Sequence, residues 1–140
     1  MGVTLKIDGI ETLREQLQKL PTDLMHEATA IVQVTAVTMQ HEVLAAYPTG
    51  PTGNLRKQVD VRMEQTDRAG ITAWCTSRAK HAWIYEHGTA KRSWKNGKNT
   101  GAMPEHDVFI PIAIARRRVM TRALIGVVER AGLTVTGSAE

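Results

Sequence analysis

A chain of 140 residues is the size of one domain, and its 42% hydrophobic and 23% charged residues lie near globular averages, which argues against wholesale disorder. The single cysteine, Cys75, excludes an internal disulfide, and no apolar run reaches the roughly twenty residues needed to span a bilayer. The formal charge of +4 is modest, but Lys91, Arg92, Lys95 and Lys98 form one cationic cluster and Arg116, Arg117, Arg118 and Arg122 another. Such clusters meet nucleic acid or an acidic protein surface, or are simply a solvated basic face. One Phe stands beside three Trp and two Tyr, so Val, Ile, Leu, Met and Ala must fill the core. Without a basic-then-apolar leader, the chain is expected to be cytoplasmic or assembled in the cytoplasm.

Val3, Leu5 and Ile7 alternate with polar residues, which predicts a short strand with one buried face. Asp8 and Glu11 have the spacing of a capping box, so a helix is expected over Gly9–Lys19 with Ile10, Leu13, Leu17 and Leu20 on its apolar side. Pro21 interrupts it. A longer helix then runs from Thr22 or Asp23 to about Ala46, with Leu24, Ala28, Ile31, Val32, Thr35, Met39, Val43 and Ala46 on one face. Its β-branched content lowers intrinsic helix propensity, so packing must hold it; a strand over Ile31–Val37 is the competing reading.

Pro48–Gly53 breaks the chain, and Asn54–Lys57 suits a single helical turn. Val59, Val61 and Met63, then Ile71, Ala73 and Cys75, alternate with polar neighbours, predicting an antiparallel hairpin that turns near Asp67–Gly70. A short helix is expected over Ala79–Glu86, ended by Gly88. Residues 88–107 show no periodicity and are expected to form a long mobile loop, with an extended hairpin lying on its own subunit as the alternative. Trp94 and Met103 are the only large apolar side chains over Thr89–His106, too few to offset ordering at about 1–2 kcal/mol per residue. Pro111 suits the first turn of a C-terminal helix whose apolar side is Ile112, Ala115, Val119, Ala123, Val127 and Ala131, and Gly132 stops it. Leu133–Val135 is expected to add a strand, and residues 137–140 a flexible tail. The expected fold is one α+β domain over residues 1–136, a small antiparallel sheet packed against one long helix and a C-terminal helix, with a long protruding loop.

The candidates for chemistry are few. His81, Glu86, His87, His106 and Asp107 match neither an H-E-x-x-H helix nor a Cys/His zinc pattern, so no metal or other cofactor is expected. Ser77 and Ser93 lack a strained nucleophile turn, and Cys75 lies mid-strand, so no catalysis is expected. Thr49–Gly53 lacks the Gly-Lys-Ser/Thr of a phosphate loop, and Pro51 removes a donor where donors are needed. Trp83, Tyr85 and Trp94 beside basic residues suit base stacking or core anchoring, but Trp83 and Tyr85, two apart, cannot face one groove from a helix.

Two elements are more specific: Thr52-Gly53-Asn54-Leu55-Arg56 and Tyr85-Glu86-His87-Gly88-Thr89. With the Asp-Gly-Ile opening, the long helix and Val108-Phe109-Ile110-Pro111, their order resembles a tailed-phage tail-component family, that of gene product ten of phage HK ninety-seven, over about residues 3–130. That family includes head–tail joining, tail-completion and tail-terminator proteins. Gly53, Leu55 and Arg56 match its Thr-Gly-x-Leu-Arg element, Tyr85, Glu86, Gly88 and Thr89 its aromatic-x-Glu-x-Gly-Thr element, and Phe109 its Pro-Phe element. Val108 stands where the family commonly has Pro, and His87 where an aromatic is common.

The resemblance implies a non-catalytic ring subunit, a hexamer in preference to a dodecamer, between capsid connector or stopper and tail tube. It would reside in the virion, be assembled in the host cytoplasm, touch no membrane and contact passing DNA only non-specifically. Gly53, Leu55, Arg56, Tyr85, Glu86, Gly88, Thr89, Phe109 and Pro111 are then structural anchors, and an Arg56–Glu86 hydrogen bond is expected to join the two elements. Lys91, Arg92, Trp94, Lys95, Lys98 and Met103 are the expected contacts to a neighbouring subunit, tail or connector protein. A small basic nucleic-acid-binding domain is the alternative.

Overall fold

The computed structural model describes Glu15 and residues 22–66 and 70–135. The strand over Val3–Ile7, the Asp8–Glu11 capping box, the break at Pro21, the tip of the hairpin turn and the tail over residues 137–140 lie outside the described residues, as does most of the helix over Gly9–Lys19. The fold is α+β. In chain order the elements are α1 (Thr22–Ala46), α2 (Asn54–Lys57), β1 (Val59–Thr66), β2 (Gly70–Ser77), α3 (Ala82–His87), β3 (Arg92–Ser93), β4 (Asn99–Gly101) and α4 (Phe109–Arg130).

Helix α1 is helical throughout, Ile31–Val37 included, and spans roughly 37 Å at 1.5 Å per residue. Packing on two sides compensates for its β-branched residues: α4 lies along it, and β1 and β2 cover another face. Thr35 returns its hydroxyl to the Ile31 carbonyl at 2.7 Å, so that polar group is satisfied within the helix. Because contact comes from two directions, the inward surface is wider than the predicted stripe. Ala36, outside that stripe, is buried beside Ala28 and Val43, whereas Ala46, inside it, is exposed.

β1 and β2 pair as the expected antiparallel hairpin, with Val61 opposite Cys75 and Met63 opposite Ala73. Val59 is buried, and its carbonyl accepts a hydrogen bond from the Gln40 side chain at 3.1 Å, which ties the sheet to α1. Trp74, with Arg62, Glu64 and Thr72, points to the other face. Burial, assisted by the Asp60 charge, pushes the Cys75 thiol up to about 11. The folded state therefore keeps a proton that the unfolded thiol releases near 9.0, and this contribution to stability is lost as pH rises through about 11. Alkylation at neutral pH is expected to be slow in the native protein and fast in denaturant; equal rates would contradict it.

α4 runs antiparallel to α1. Arg116 forms an ion pair with Glu42, its Nε donating to the carboxylate at 2.6 Å, and Arg130 pairs with Glu27 nearer the start of α1. Two buried clusters sit at the two ends of this helix pair. One holds Val43, Tyr47, Leu55, Val59, Ala79 and Ala82; in the other, Val127 and Val128 pack with Leu24, Met25 and Ile31.

The predicted stripe on α4 is corrected. Ala115, Val119 and Ala123 are exposed, and the inward face is Phe109, Ile112, Arg116, Met120, Leu124, Val127 and Val128. The helix is apolar on more than one side, and the side that turns inward packs Val127 and Val128 against Leu24, Met25 and Ile31 and sets Arg116 and Arg130 beside Glu42 and Glu27. Leu133–Val135 is not a strand either. Gly132 and Leu133 donate to Glu129 and Val128 carbonyls in a Schellman ending, which folds Leu133 and Val135 back onto Val127 and Val128.

Candidate functional site

The short helix α3 starts at Ala82, three residues later than expected, because a turn bonded from Ala82 to Ala79 precedes it. Its buried side is Ala82, with Tyr85 and Glu86 half-buried, and its outer side carries Trp83 and His87, whose rings meet edge to face at 5.0 Å. Tyr85 is held between two rings: Tyr47, edge-on at 5.7 Å, and His106, stacked at 4.8 Å. It packs against the buried cluster, as the core reading of the sequence expects.

Glu86 is the hub. Its carboxylate accepts the Tyr47 hydroxyl at 2.7 Å, the Val108 amide at 2.8 Å and the Phe109 amide at 3.1 Å. The last two open α4, where the first backbone N–H groups have no partner within the helix and a negative charge is favoured. Pro111, in the same turn, is exposed and brings no N–H that would need one. Burial, then the bond to Glu86, raises the Tyr47 hydroxyl above its ordinary pKa, so it remains a donor.

One carboxylate thus joins the end of α1, α3 and the start of α4. The expected Arg56–Glu86 hydrogen bond is not formed. Arg56 donates to the Thr49 hydroxyl at 3.1 Å, bracing its own turn, while Glu86 is engaged by Tyr47 and the α4 amides. The two motif elements meet through apolar packing instead: Leu55 is buried in the cluster against which Tyr85 and Phe109 pack. Gly53, at φ 63°, supplies the left-handed residue that opens α2.

Residues 88–107, expected to lack regular structure, form a hairpin. Thr89 and Met103 close its base, the Thr89 amide donating to Met103 O at 2.8 Å and the Met103 amide to Thr89 Oγ1 at 3.0 Å. His106 donates its amide to Tyr85 O at 3.1 Å. Beyond the base, β3 pairs with β4, Thr100 donates its hydroxyl to Arg92 O, and Trp94 and Lys98 are joined across a turn containing Gly97. Short strands flanking Asn-Gly are a hairpin signal in the sequence; the absence of apolar alternation hides it.

The expected contact residues divide. Lys91, Arg92, Trp94, Lys95 and Lys98 are exposed on the hairpin, with Trp94 67% accessible. Met103 is half-buried at the base, because Gly88 brings the returning strand against the anchor. Tyr47 is the residue that motif reading misses; a lone tyrosine between a long helix and Pro48 is its only mark in the sequence.

The outer face of β1 and β2 forms an open groove of about 690 Å³ lined by Arg62, Met63, Glu64, Trp74, Thr76 and Arg78. Asp60 pairs with Arg78 and lies 3.7 Å from Arg62, so its charge is already engaged. Among the described residues no three His, Cys, Asp or Glu side chains are grouped to hold a metal ion, and no helix is long and apolar enough to cross a membrane. No family model, curated protein or solved structure matches the chain.

Proposed function

We propose that the chain is a structural virion protein of a tailed phage, a ring subunit at the head–tail junction that joins the capsid connector to the tail tube and performs no catalysis. The observation that carries this reading is the convergence of the two motif elements. Leu55 from one, Tyr85 from the other and Phe109 after them share one apolar cluster, and Glu86 and Gly88 use the same anchor to fix a hairpin. Residues far apart in the chain, picked out as a motif set, do one structural job.

A closed ring needs heterologous contacts, in which two different surfaces of each subunit meet. The exposed Val34 on α1, Trp74 on the sheet, Trp83 on α3 and Val119 on α4 supply apolar surface on separate elements. They leave the hairpin for a second partner. Native mass spectrometry of the purified protein is expected to show a discrete species of six subunits of 15.4 kDa, alone or once tail-tube protein is added. A monomer under both conditions would remove the reading.

A further inference from the structure

The eighteen Lys and Arg of the chain face fourteen Asp and Glu, and the imbalance has one address. Between Ala90 and Pro104 there are four cations, Lys91, Arg92, Lys95 and Lys98, and no carboxylate, which leaves fourteen of each sign for the rest of the protein. The whole formal charge of +4 is therefore matched by the hairpin alone. All four side chains are exposed, and none takes part in an ion pair or side-chain hydrogen bond among the described residues. Elsewhere, Arg62, Arg78, Arg116 and Arg130 lie within 4.0 Å of a carboxylate, and Arg56, Arg117, Arg118 and Arg122 form no ion pair among the described residues but are spread over α2 and α4.

Shape adds to charge. The segment is a narrow two-stranded ribbon, and the major groove of duplex DNA, about 12 Å wide, admits such a ribbon. Its base is fixed to the Glu86 anchor through Thr89, Met103 and His106, so the cations are carried on a framed element rather than on a free coil. Trp94 stands at the turn with its indole in solvent, beside Lys95. An acidic protein surface would satisfy the charges but gives no reason for a ribbon that carries Lys91 and Arg92 at its first strand and Lys95 and Lys98 around its turn.

We propose that this hairpin is a binding site for the phosphate backbone of duplex DNA, with Lys91, Arg92, Lys95 and Lys98 neutralising phosphates and Trp94 packing against the sugar–base edge. The inference does not depend on the ring reading: a monomer can bind DNA this way, and a ring can form without it. The contacts are to phosphates, so binding is independent of sequence, with a dissociation constant on the order of 10⁻⁴–10⁻⁶ M at physiological salt.

The test is fluorescence anisotropy of a short labelled duplex titrated with the full chain across a salt series. Four neutralised phosphates give a slope of log affinity against log salt of about −3.6, or about 150-fold weaker binding at 200 mM than at 50 mM salt. Each single Lys→Gln change is expected to flatten the slope by about 0.9, and K91Q/R92Q/K95Q/K98Q to abolish binding. Arg118→Gln with Arg122→Gln, on exposed positions of α4, is expected to leave the slope unchanged. Trp94→Ala weakens binding without changing the slope, since an apolar contact releases no counterions. Unchanged thermal unfolding of the quadruple variant confirms that the fold is kept. The proposal is overturned if the wild type fails to bind at low salt or if the quadruple variant binds as well as the wild type. It is equally overturned if poly-glutamate competes as well as DNA of equal charge, which would assign the hairpin to an acidic protein surface.

Discussion

Gly88→Ala is expected to cost about 2–6 kcal/mol of folding stability, the largest effect of an added methyl group at any described glycine. Gly88 is buried at φ 67°, ψ −172°, a region that is nearly glycine-only and costs other residues about 1–3 kcal/mol. A Cβ there would lie 2.6 Å from Met103 O, 2.8 Å from Glu105 N and 3.0 Å from Pro104 C. All three are backbone atoms, so no side chain can swing away, and relief requires moving the returning strand of the hairpin off α3. Overpacking of this kind adds about 1–3 kcal/mol, and the two costs together approach half the stability of an ordinary domain, about 5–15 kcal/mol. Gly97→Ala is the control: its φ of 81° carries strain, but nothing lies within 4 Å of the added methyl. Urea unfolding of the two variants should give midpoints well apart, with Gly88→Ala far lower. Coincident midpoints would show that the hairpin base does not press on Gly88.

Glu86→Ala is the second large effect, an expected loss of about 2–4 kcal/mol. Removing the carboxylate strands the Tyr47 hydroxyl, on a residue only 2% exposed, at about 1–3 kcal/mol. It also uncaps α4, where losing a side-chain acceptor costs about 1 kcal/mol. Glu86→Gln restores less than its size suggests, because its amide nitrogen would face N–H donors. Tyr47→Phe keeps the edge-on contact with Tyr85 and removes only the hydroxyl. A double-mutant cycle between positions 47 and 86 should give a coupling of about 1 kcal/mol or more, while one between 56 and 86 should fall within the additivity error of about 0.3–0.5 kcal/mol. The reverse ranking would contradict the hydrogen-bond arrangement described above.

The contrast between those two cycles marks where sequence reading succeeds and where it stops. Helix α1, the β1–β2 hairpin and the helix stop at Gly88 are legible because local signals set them: three- and four-residue spacing, strict alternation, and a glycine after an aromatic helix end. Glu86 was legible as an anchor but not its partners. Its bonds reach Tyr47, Val108 and Phe109, and only the folded chain decides which donors arrive there. The inward face of α4 was misread for a related reason. Val119 is as apolar as Val127, yet it is 53% exposed and Val127 fully buried, because which side of α4 meets Leu24, Met25 and Ile31 of α1 is settled by tertiary packing that periodicity alone does not encode. Over residues 88–107 the sequence leaves a hairpin only as the alternative to a mobile loop, because polar strands lack the apolar alternation on which strand reading depends.

The most direct measurement of the ring reading is negative-stain electron microscopy of the purified protein mixed with purified tail tubes of a tailed phage. Closed rings with six-fold symmetry are expected at one end of each tube, and Gly88→Ala, which disrupts the anchor, should leave the tube ends bare. Wild-type protein that remains monomeric, with both tube ends unoccupied, would contradict it.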